Sequence, residues 1–431
     1  MEPPVPARLA CDGPVRSGLK TSRSTFERGI LASPGVRDWS PPVTRAATWL
    51  LLVIYLGFIS LGLPDGTLGV AWPAIFPELR LPVGFAGTIM LMITLLAGAA
   101  GFASGWILAR FQTGPVVLVS GVLTGSALVA ISRADGVTSL LLAAMPLGLG
   151  AGVVDAGLNS YVARHYDGRH MNWLHACWGI GATCGPLVLG EAMRTSVGWR
   201  GGYLALGLAQ LSLAVVFLAT LRLWKIVPER SFAARPGAAD ETGAQLPAHS
   251  AAGWLSPVIF AIYTGVEAST GLWAATVLAV DRGYAPGVAA WCGASYYGAI
   301  TAGRIAVGFG VDRWGNRRVT GVGVLVGFAG GILFAASGGP LLPAAGLILI
   351  GLGLSPVYPC LMHEVPRRFS ATATPTIIGR QSGAAGLGVA LLPPVLGLLA
   401  DRALAAIPWV VAAVTLGLWF AIRQLDRMTA R

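Results

Sequence analysis

The stretch Gly148–Gly190 reads GLGAGVVDAGLNSYVARHYDGRHMNWLHACWGIGATCGPLVLG, and its pattern decides the fold. Two apolar runs flank a short loop that holds Arg164, His165, Arg169 and His170. The first run contains the carboxylate Asp155, with Asn159 four residues on. That spacing puts both side chains on one face of a helix. The second run begins at Asn172, carries His175 and Trp178, and ends in a Gly-Pro stretch. About 200 residues later the plan returns in Gly351–Asp401, GLGLSPVYPCLMHEVPRRFSATATPTIIGRQSGAAGLGVALLPPVLGLLAD. GLG at 148–150 recurs at 351–353, and PLVLG at 186–190 is echoed by PPVLG at 393–397. A near-constant offset points to two homologous halves.

The rest of the chain fits that reading. Of 431 residues, 55% are hydrophobic and 11% charged, against about 25% charged in a soluble domain. An all-α membrane protein that crosses the bilayer many times follows. Apolar runs at 46–74, 83–109, 114–132, 137–163, 172–193, 199–222, 253–279, 287–310, 318–336, 340–364, 373–400 and 405–424 make twelve expected spans. The domains expected are a disordered cytoplasmic tail over 1–45, six-helix halves over 46–222 and 253–424, and a polar linker over 223–252. Residues 425–431 form a short C-terminal tail.

A net charge of +11 raises the question of nucleic acid. The basic residues are dispersed among the connections, with no basic face interleaved with aromatics, so nucleic-acid binding is not expected. With the N-terminus inside, the inner connections and C-tail carry fifteen Lys and Arg, the outer loops six. That asymmetry places both termini in the cytoplasm. The composition, without a processing signal, suggests a bacterial inner membrane. Five scattered cysteines without a CxxC pair predict neither a disulfide framework nor a metal site. No nucleophile–base pair or phosphate-binding Gly-Lys loop supports an enzyme or direct use of ATP. No cofactor is expected, and a monomer is.

Three carboxylates lie inside spans: Asp65 in span 1, Asp155 in span 4 and Glu267 in span 7. An ionisable group at bilayer depth is costly and marks function or a packed polar contact; both readings stand for each acid. Apolar surroundings favour the neutral form of a carboxyl group, which suits exchange of a proton. Gly62, Pro64 and Gly66 around Asp65 are poised to break the first span. Trp178, Trp273, Tyr297, Tyr358 and Gln381 supply aromatic faces and an amide of the kind that bind a polar ring. His175 fits a proton relay or a helix-end hydrogen bond. Arg304 is expected to snorkel to the inner face. The loop GFGVDRWGNRR contributes Gly308, Asp312, Arg313, Gly315, Arg317 and Arg318, read as a gate-stabilising element.

Twelve spans in two halves and this G-x-x-x-D-R-x-G-x-R-R loop resemble the major facilitator superfamily. Within it, Asp155 with Asn159, YTGVEASTGLW (Tyr263–Trp273), GLGLSPVYP (Gly351–Pro359) and IGRQSGAAGLGVALLPPVLG (Ile378–Gly397) resemble the fucose/hexose:proton symporter-like group. The resemblance covers about residues 46 to 424. It departs at Asn316, where a basic residue is usual, and at Asp155, where the group has the longer Glu. It implies alternating access by two six-helix halves, with protons and a small polar solute handled by Asp65 and Asp155.

Overall fold

The computed structural model describes residues 45–166, 168–225, 246–336, 341–370 and 373–430. The expected tail before Arg45 and the middle of the linker, 226–245, lie outside the described residues. In the first half, α1 (Arg45–Gly62) and α2 (Thr67–Glu78) share one span. They are followed by α3 (Phe85–Phe111), α4 (Thr113–Ile131), α5 (Val137–His165), α6 (Gly168–Met193) and α7 (Gly198–Ala219). The second half begins with α8 (Ala251–Thr276), which continues into a π turn at Val277–Asp281. Then come α9 (Pro286–Trp314), α10 (Asn316–Ala335), α11 (Leu341–Leu354) and α12 (Val357–Arg368), the last two sharing a span. α13 (Thr374–Ala403) and α14 (Ile407–Met428) end the chain.

Among the described residues, nine stretches are long and apolar enough to cross a bilayer, and the last of these, 376–428, contains both α13 and α14. The helices α6 and α9 complete twelve spans. They are less apolar because they carry His170, His175, Arg304 and Arg313. Large apolar side chains on the outer surface, such as Phe102, Phe309 and Leu341, are exposed, as a lipid-covered surface requires.

The first span breaks at 63–66. Gly66 has φ 74°, a left-handed conformation that glycine adopts at no steric cost. The freed Pro64 carbonyl accepts the Thr67 N–H at 3.2 Å and the Thr67 hydroxyl at 2.5 Å. Span 10 breaks at Ser355–Pro356, where the Ser355 hydroxyl donates to the Leu352 carbonyl at 2.8 Å. The break expected around Asp65 is present, and the run over 340–364, expected as one helix, is corrected to two: Pro356 at mid-depth outweighs the apolar pattern.

Packing between spans relies on small residues. A side chain at Gly181 of α6 would strike the Ile59 carbonyl of α1, and one at Gly388 of α13 the Ala261 carbonyl of α8. Such close backbone approach is how helices associate in lipid.

The first and last residues of the helical bundle, Arg45 and Met428, lie at one of its faces, here called the terminal face. The halves meet through α2 with α8 and α9, α3 with α13, and α6 with α9. On the far face the Gly84 N–H donates to Asp401 Oδ1 at 2.7 Å, and Trp291 Nε1 to Glu191 Oε2 at 3.4 Å. At mid-depth the Thr301 hydroxyl donates to the Gly179 carbonyl at 3.0 Å. Gly379 and Gly383 precede Gly397 and Asp401 by five helical turns, so they share the α13 face that meets α3. At those glycines, and at Gly98 of α3, a Cβ would meet open space. The α3–α13 seam is closed on the far face and open toward the terminal face.

Candidate functional site

The residues singled out in the spans converge at the depth where the first span breaks. Asp65 lies in the turn at 63–66 between α1 and α2 and is exposed as a residue. Asp65 Oδ2 accepts the Trp178 Nε1–H at 2.7 Å, joining the first span to α6. The Tyr297 ring of α9 lies directly against Gly66, so a larger residue there would collide with it.

The other face of Trp178 holds a cation. Arg304 Cζ lies 5.2 Å from the centre of the Trp178 ring, within cation–π range. Arg304 Nη2 also reaches Glu267 of α8, at 3.3 Å to Oε1 and 3.5 Å to Oε2. The pair is only partly shielded, with side chains 22% and 17% exposed. Tyr263, one turn before Glu267, donates its hydroxyl to Glu267 Oε2 and accepts from Arg304 Nη2 at 3.4 Å. Tyr296 donates to the Glu267 backbone carbonyl at 2.9 Å. Asp65, Trp178, Arg304, Glu267 and Tyr263 therefore form one network that crosses between the halves.

Asp155 and Asn159 sit on α5 as the i, i+4 spacing requires. Asn159 Nδ2 donates to Asp155 Oδ1 and to its backbone carbonyl, both at 3.0 Å. Asp155 is exposed, and it interacts electrostatically with Asp65. His175 is exposed on α6, its ring edge-on to Phe58 with centroids 5.7 Å apart. Tyr358 begins α12 and packs edge-on against Phe260, centroids 5.1 Å apart.

Two expected contacts lie elsewhere. Trp273 is fully buried and donates Nε1–H to the Pro393 carbonyl at 3.1 Å, so it locks α8 to α13 instead of facing the cleft. Gln381 is also buried, its amide donating to Ser256 Oγ at 2.6 Å between the same helices. Arg304 does not snorkel to the inner face: the Glu267 carboxylate and the Trp178 ring hold it at mid-depth.

The loop motif sits at the terminal face. Gly308 has open space around it, Gly315 turns with φ 79°, and Arg313 and Arg318 are exposed. The Asp312 side chain lies outside the described residues. Arg317 Nε donates to Glu364 Oε2 at 3.1 Å, and Asn316 donates to Glu364 Oε1 at 2.9 Å. Arg367 adds a third contact to Glu364 at 2.9 Å, and Arg368 pairs with Asp426 at 2.7 Å. The amide of Asn316 thus does, by hydrogen bonding, what a basic residue would do by charge. A cavity of about 1000 Å³ lined by Leu255, Arg317, Trp419, Phe420 and Arg423 lies beside this cluster, apart from the cleft.

Sequence reasoning missed Tyr263 and Glu364, and misplaced Arg304. One signal was available for Arg304: an acid buried within a span calls for a cation within another span, and Arg304 lies inside α9.

The model of the Major Facilitator Superfamily matches the sequence twice, over residues 54–257 and 255–427. Solved structures share the fold. The nucleoside transporter NupG is 14% identical with a TM-score of 0.66, covering 89% of this chain and 99% of that one. A bacterial homolog of the human lysosomal transporter Spinster, in an inward-facing and unoccupied conformation, gives 14% identity and a TM-score of 0.69, covering 90% and 98%. The peptide transporter POT in complex with sulfate gives 15% and 0.67, covering 88% and 96%. At these identities the likeness is one of fold alone. A comparison with curated protein sequences finds no match.

Proposed function

The chain belongs to the major facilitator superfamily, and we propose that it carries a small polar solute, of the sugar class, across the membrane by proton-coupled alternating access. The observation that carries this reading is the network of Asp65, Trp178, Arg304 and Glu267. It joins both halves, with Asp65 and Trp178 from the first and Arg304 and Glu267 from the second. A solute held there touches both halves, so its binding biases which face opens.

The chemistry suits a hydroxylated ring. Trp178 and Tyr297 offer apolar faces, while Asp65, Asn159 and Asp155 offer acceptors and an amide. His175 and Tyr358 lie on the helices that flank this region. Asp155 is the proposed protonation site, and one proton on it neutralises a carboxylate during the return through apolar surroundings.

The positive-inside asymmetry makes the terminal face cytoplasmic, so the form described here opens inward, in a bacterial inner membrane. The loop from Gly308 to Arg318, with Glu364 as its anchor, stabilises the second half at that face. The protein acts as a monomer. Uptake and export are one cycle run in two directions, and the gradients decide between them.

Counterflow in proteoliposomes against a panel of sugars and other polar solutes, at two pH values, tests the proposal. Exchange of a solute, with accumulation that follows an imposed proton gradient, is expected. Exchange that ignores the proton gradient overturns the coupling, and no exchange of any polar solute overturns the function.

A further inference from the structure

The exposed stripe of α14 changes character at one level. Trp409, Ala413, Gly417 and Phe420 follow one another at helical spacing along one face, all apolar and all exposed. The stripe continues as Arg423, Gln424 and Arg427, also exposed. Residues suited to hydrocarbon thus give way to cations within one helical turn, as at the edge of a bilayer. At that level lies the cavity of about 1000 Å³ beside the Glu364 cluster, between α14 and the first turns of α8 and α10. Leu255, Trp419 and Phe420 form its apolar wall, and Arg317, Arg423 and Arg427 its basic one.

The basic wall has charge to spare. Arg423 and Arg427 have no hydrogen bond and no ion pair among the described residues; Arg423 only lies over the Trp419 ring, 5.4 Å from its centre. Arg317 spends Nε on Glu364 and Nη2 on the Thr429 carbonyl, at 3.3 Å, so its Nη1 has no partner among the described residues. Asp426, the one carboxylate on the wall, accepts from Arg368 Nη2 at 2.7 Å. Glu364 and Asp426 are therefore already matched by arginines, and Arg423 and Arg427 are left without a counter-charge among the described residues.

We propose that this cavity binds one anionic phospholipid from the leaflet at the terminal face. Its phosphate lies on Arg423, Arg427 and Nη1 of Arg317, and its acyl chains run back along Trp419 and Phe420. Guanidinium groups suit phosphate oxygens, and basic pockets between membrane helices suit lipid headgroups. A soluble anion would meet the arginines but leave the apolar wall uncovered. A zwitterionic lipid would cover that wall, yet its own cation would already neutralise its phosphate. The site lies apart from the cleft, so lipid and solute do not compete. Arg317 is shared between the lipid and Glu364, which links the occupied cavity to the contact between α10 and α12.

The test measures lipid binding to the purified protein in detergent, by native mass spectrometry and by thermal melt. The probes are dioleoyl phosphatidylglycerol, dioleoyl phosphatidylcholine and soluble glycerol phosphate. Phosphatidylglycerol is expected to bind about tenfold or more tighter than phosphatidylcholine, and to raise the melt more than glycerol phosphate does at equal concentration. Each basic residue near an anionic headgroup is worth about fivefold in affinity. Arg423→Gln with Arg427→Gln, which breaks no hydrogen bond, should therefore lose about tenfold or more for phosphatidylglycerol. Arg110→Gln with Arg222→Gln removes the same charge from exposed positions in the first half and should keep the preference. Phe420→Ser, also at an exposed position, should weaken phosphatidylglycerol severalfold with the arginines intact. Equal binding of the two lipids overturns the proposal, as does an equal loss in both double variants, which would mark attraction by net charge alone. An equal melt shift with glycerol phosphate, or unchanged lipid binding in Phe420→Ser, would make this a site for a free anion and overturn the lipid.

Discussion

The backbone N–H of Gly84 donates to the Asp401 carboxylate at 2.7 Å, tying the start of α3 in one half to the end of α13 in the other. The bond spans the two halves, so separating α3 from α13 at the far face would break it. Asp401→Ala should therefore shift the population away from the described form, by about fivefold for a partly exposed contact of about 1 kcal/mol. A single cysteine at Leu387, exposed in this form, reports the change. Its labelling from the terminal face should slow in Asp401→Ala, and an unchanged rate would show that the contact does not hold the gate.

Two glycines separate folding from gating. A methyl at Gly181 meets the Ile59 carbonyl within one half, whereas a methyl at Gly69 meets Gly271 and Leu272 across the halves. Backbone does not yield to a methyl, so Gly181→Ala should cost about 1–3 kcal/mol of stability in every conformation. Gly69→Ala should leave the separate halves intact and disfavour the far-closed form. Thermal melts in detergent check the first, and cysteine accessibility from the two faces checks the second. Gly417→Ala, placed in open space on α14 away from the seam between the halves, is the control expected to change neither.

Trp178 and Trp273 both donate an indole N–H, one to Asp65 at 2.7 Å and the other to the Pro393 carbonyl at 3.1 Å. Phenylalanine removes either bond and keeps an aromatic ring. Trp178→Phe should weaken solute exchange about fivefold to tenfold, a loss of about 1 kcal/mol or slightly more, with little change in melting. Trp273→Phe should lower the melting temperature and leave apparent affinity near wild type. The opposite pattern would move the binding face from α6 to α8.

These two tryptophans also mark how far sequence reasoning reaches. Both lie in apolar runs, and helical rotation decides which one faces the cleft. α8 is buried on nearly every side around Trp273, so its apolar pattern has no polar stripe from which to read that rotation. What was legible is what local chemistry sets: the Asp155–Asn159 pair by its spacing, and the break at Asp65 by Gly62, Pro64 and Gly66. Trp178 with Asp65, and Arg304 with Glu267, pair side chains from different spans. Their relative heights and rotations come from interhelical packing, which no local pattern records. Glu364 was hidden for a related reason: beside Arg367 and Arg368 it looked like a helix end, yet it is buried against Asn316 and Arg317 of α10.

Glu364 collects Asn316, Arg317 and Arg367, and lies 3.7 Å from Arg368 Nε. Glu364→Gln keeps the shape and removes the charge that these arginines face. Arg367 is largely exposed, so its contact adds little. The loss of the buried partners should cost about 2–3 kcal/mol. A lower melting temperature with retained affinity in the folded fraction is expected. An unchanged melt would show that Asp426 alone suffices to hold Arg368.

Asp155 differs from the other two cavity acids in its company. Glu267 faces a guanidinium, and Asp65 accepts the Trp178 N–H, but Asp155 is bonded to the neutral amide of Asn159. Among the described residues no ion pair opposes protonation of Asp155. Asp155→Asn keeps the shape and fixes the neutral form. Solute exchange down its own gradient should continue in this variant, because no proton need be exchanged. Accumulation driven by an imposed proton gradient should be lost. Asp65→Asn should instead weaken exchange itself, since a neutral amide replaces the charged acceptor that orients Trp178. Counterflow and proton-driven uptake measured side by side on both variants separate the roles. Full proton-driven accumulation in Asp155→Asn would take the proton away from α5 and leave Asp65 and Glu267 as its remaining carriers.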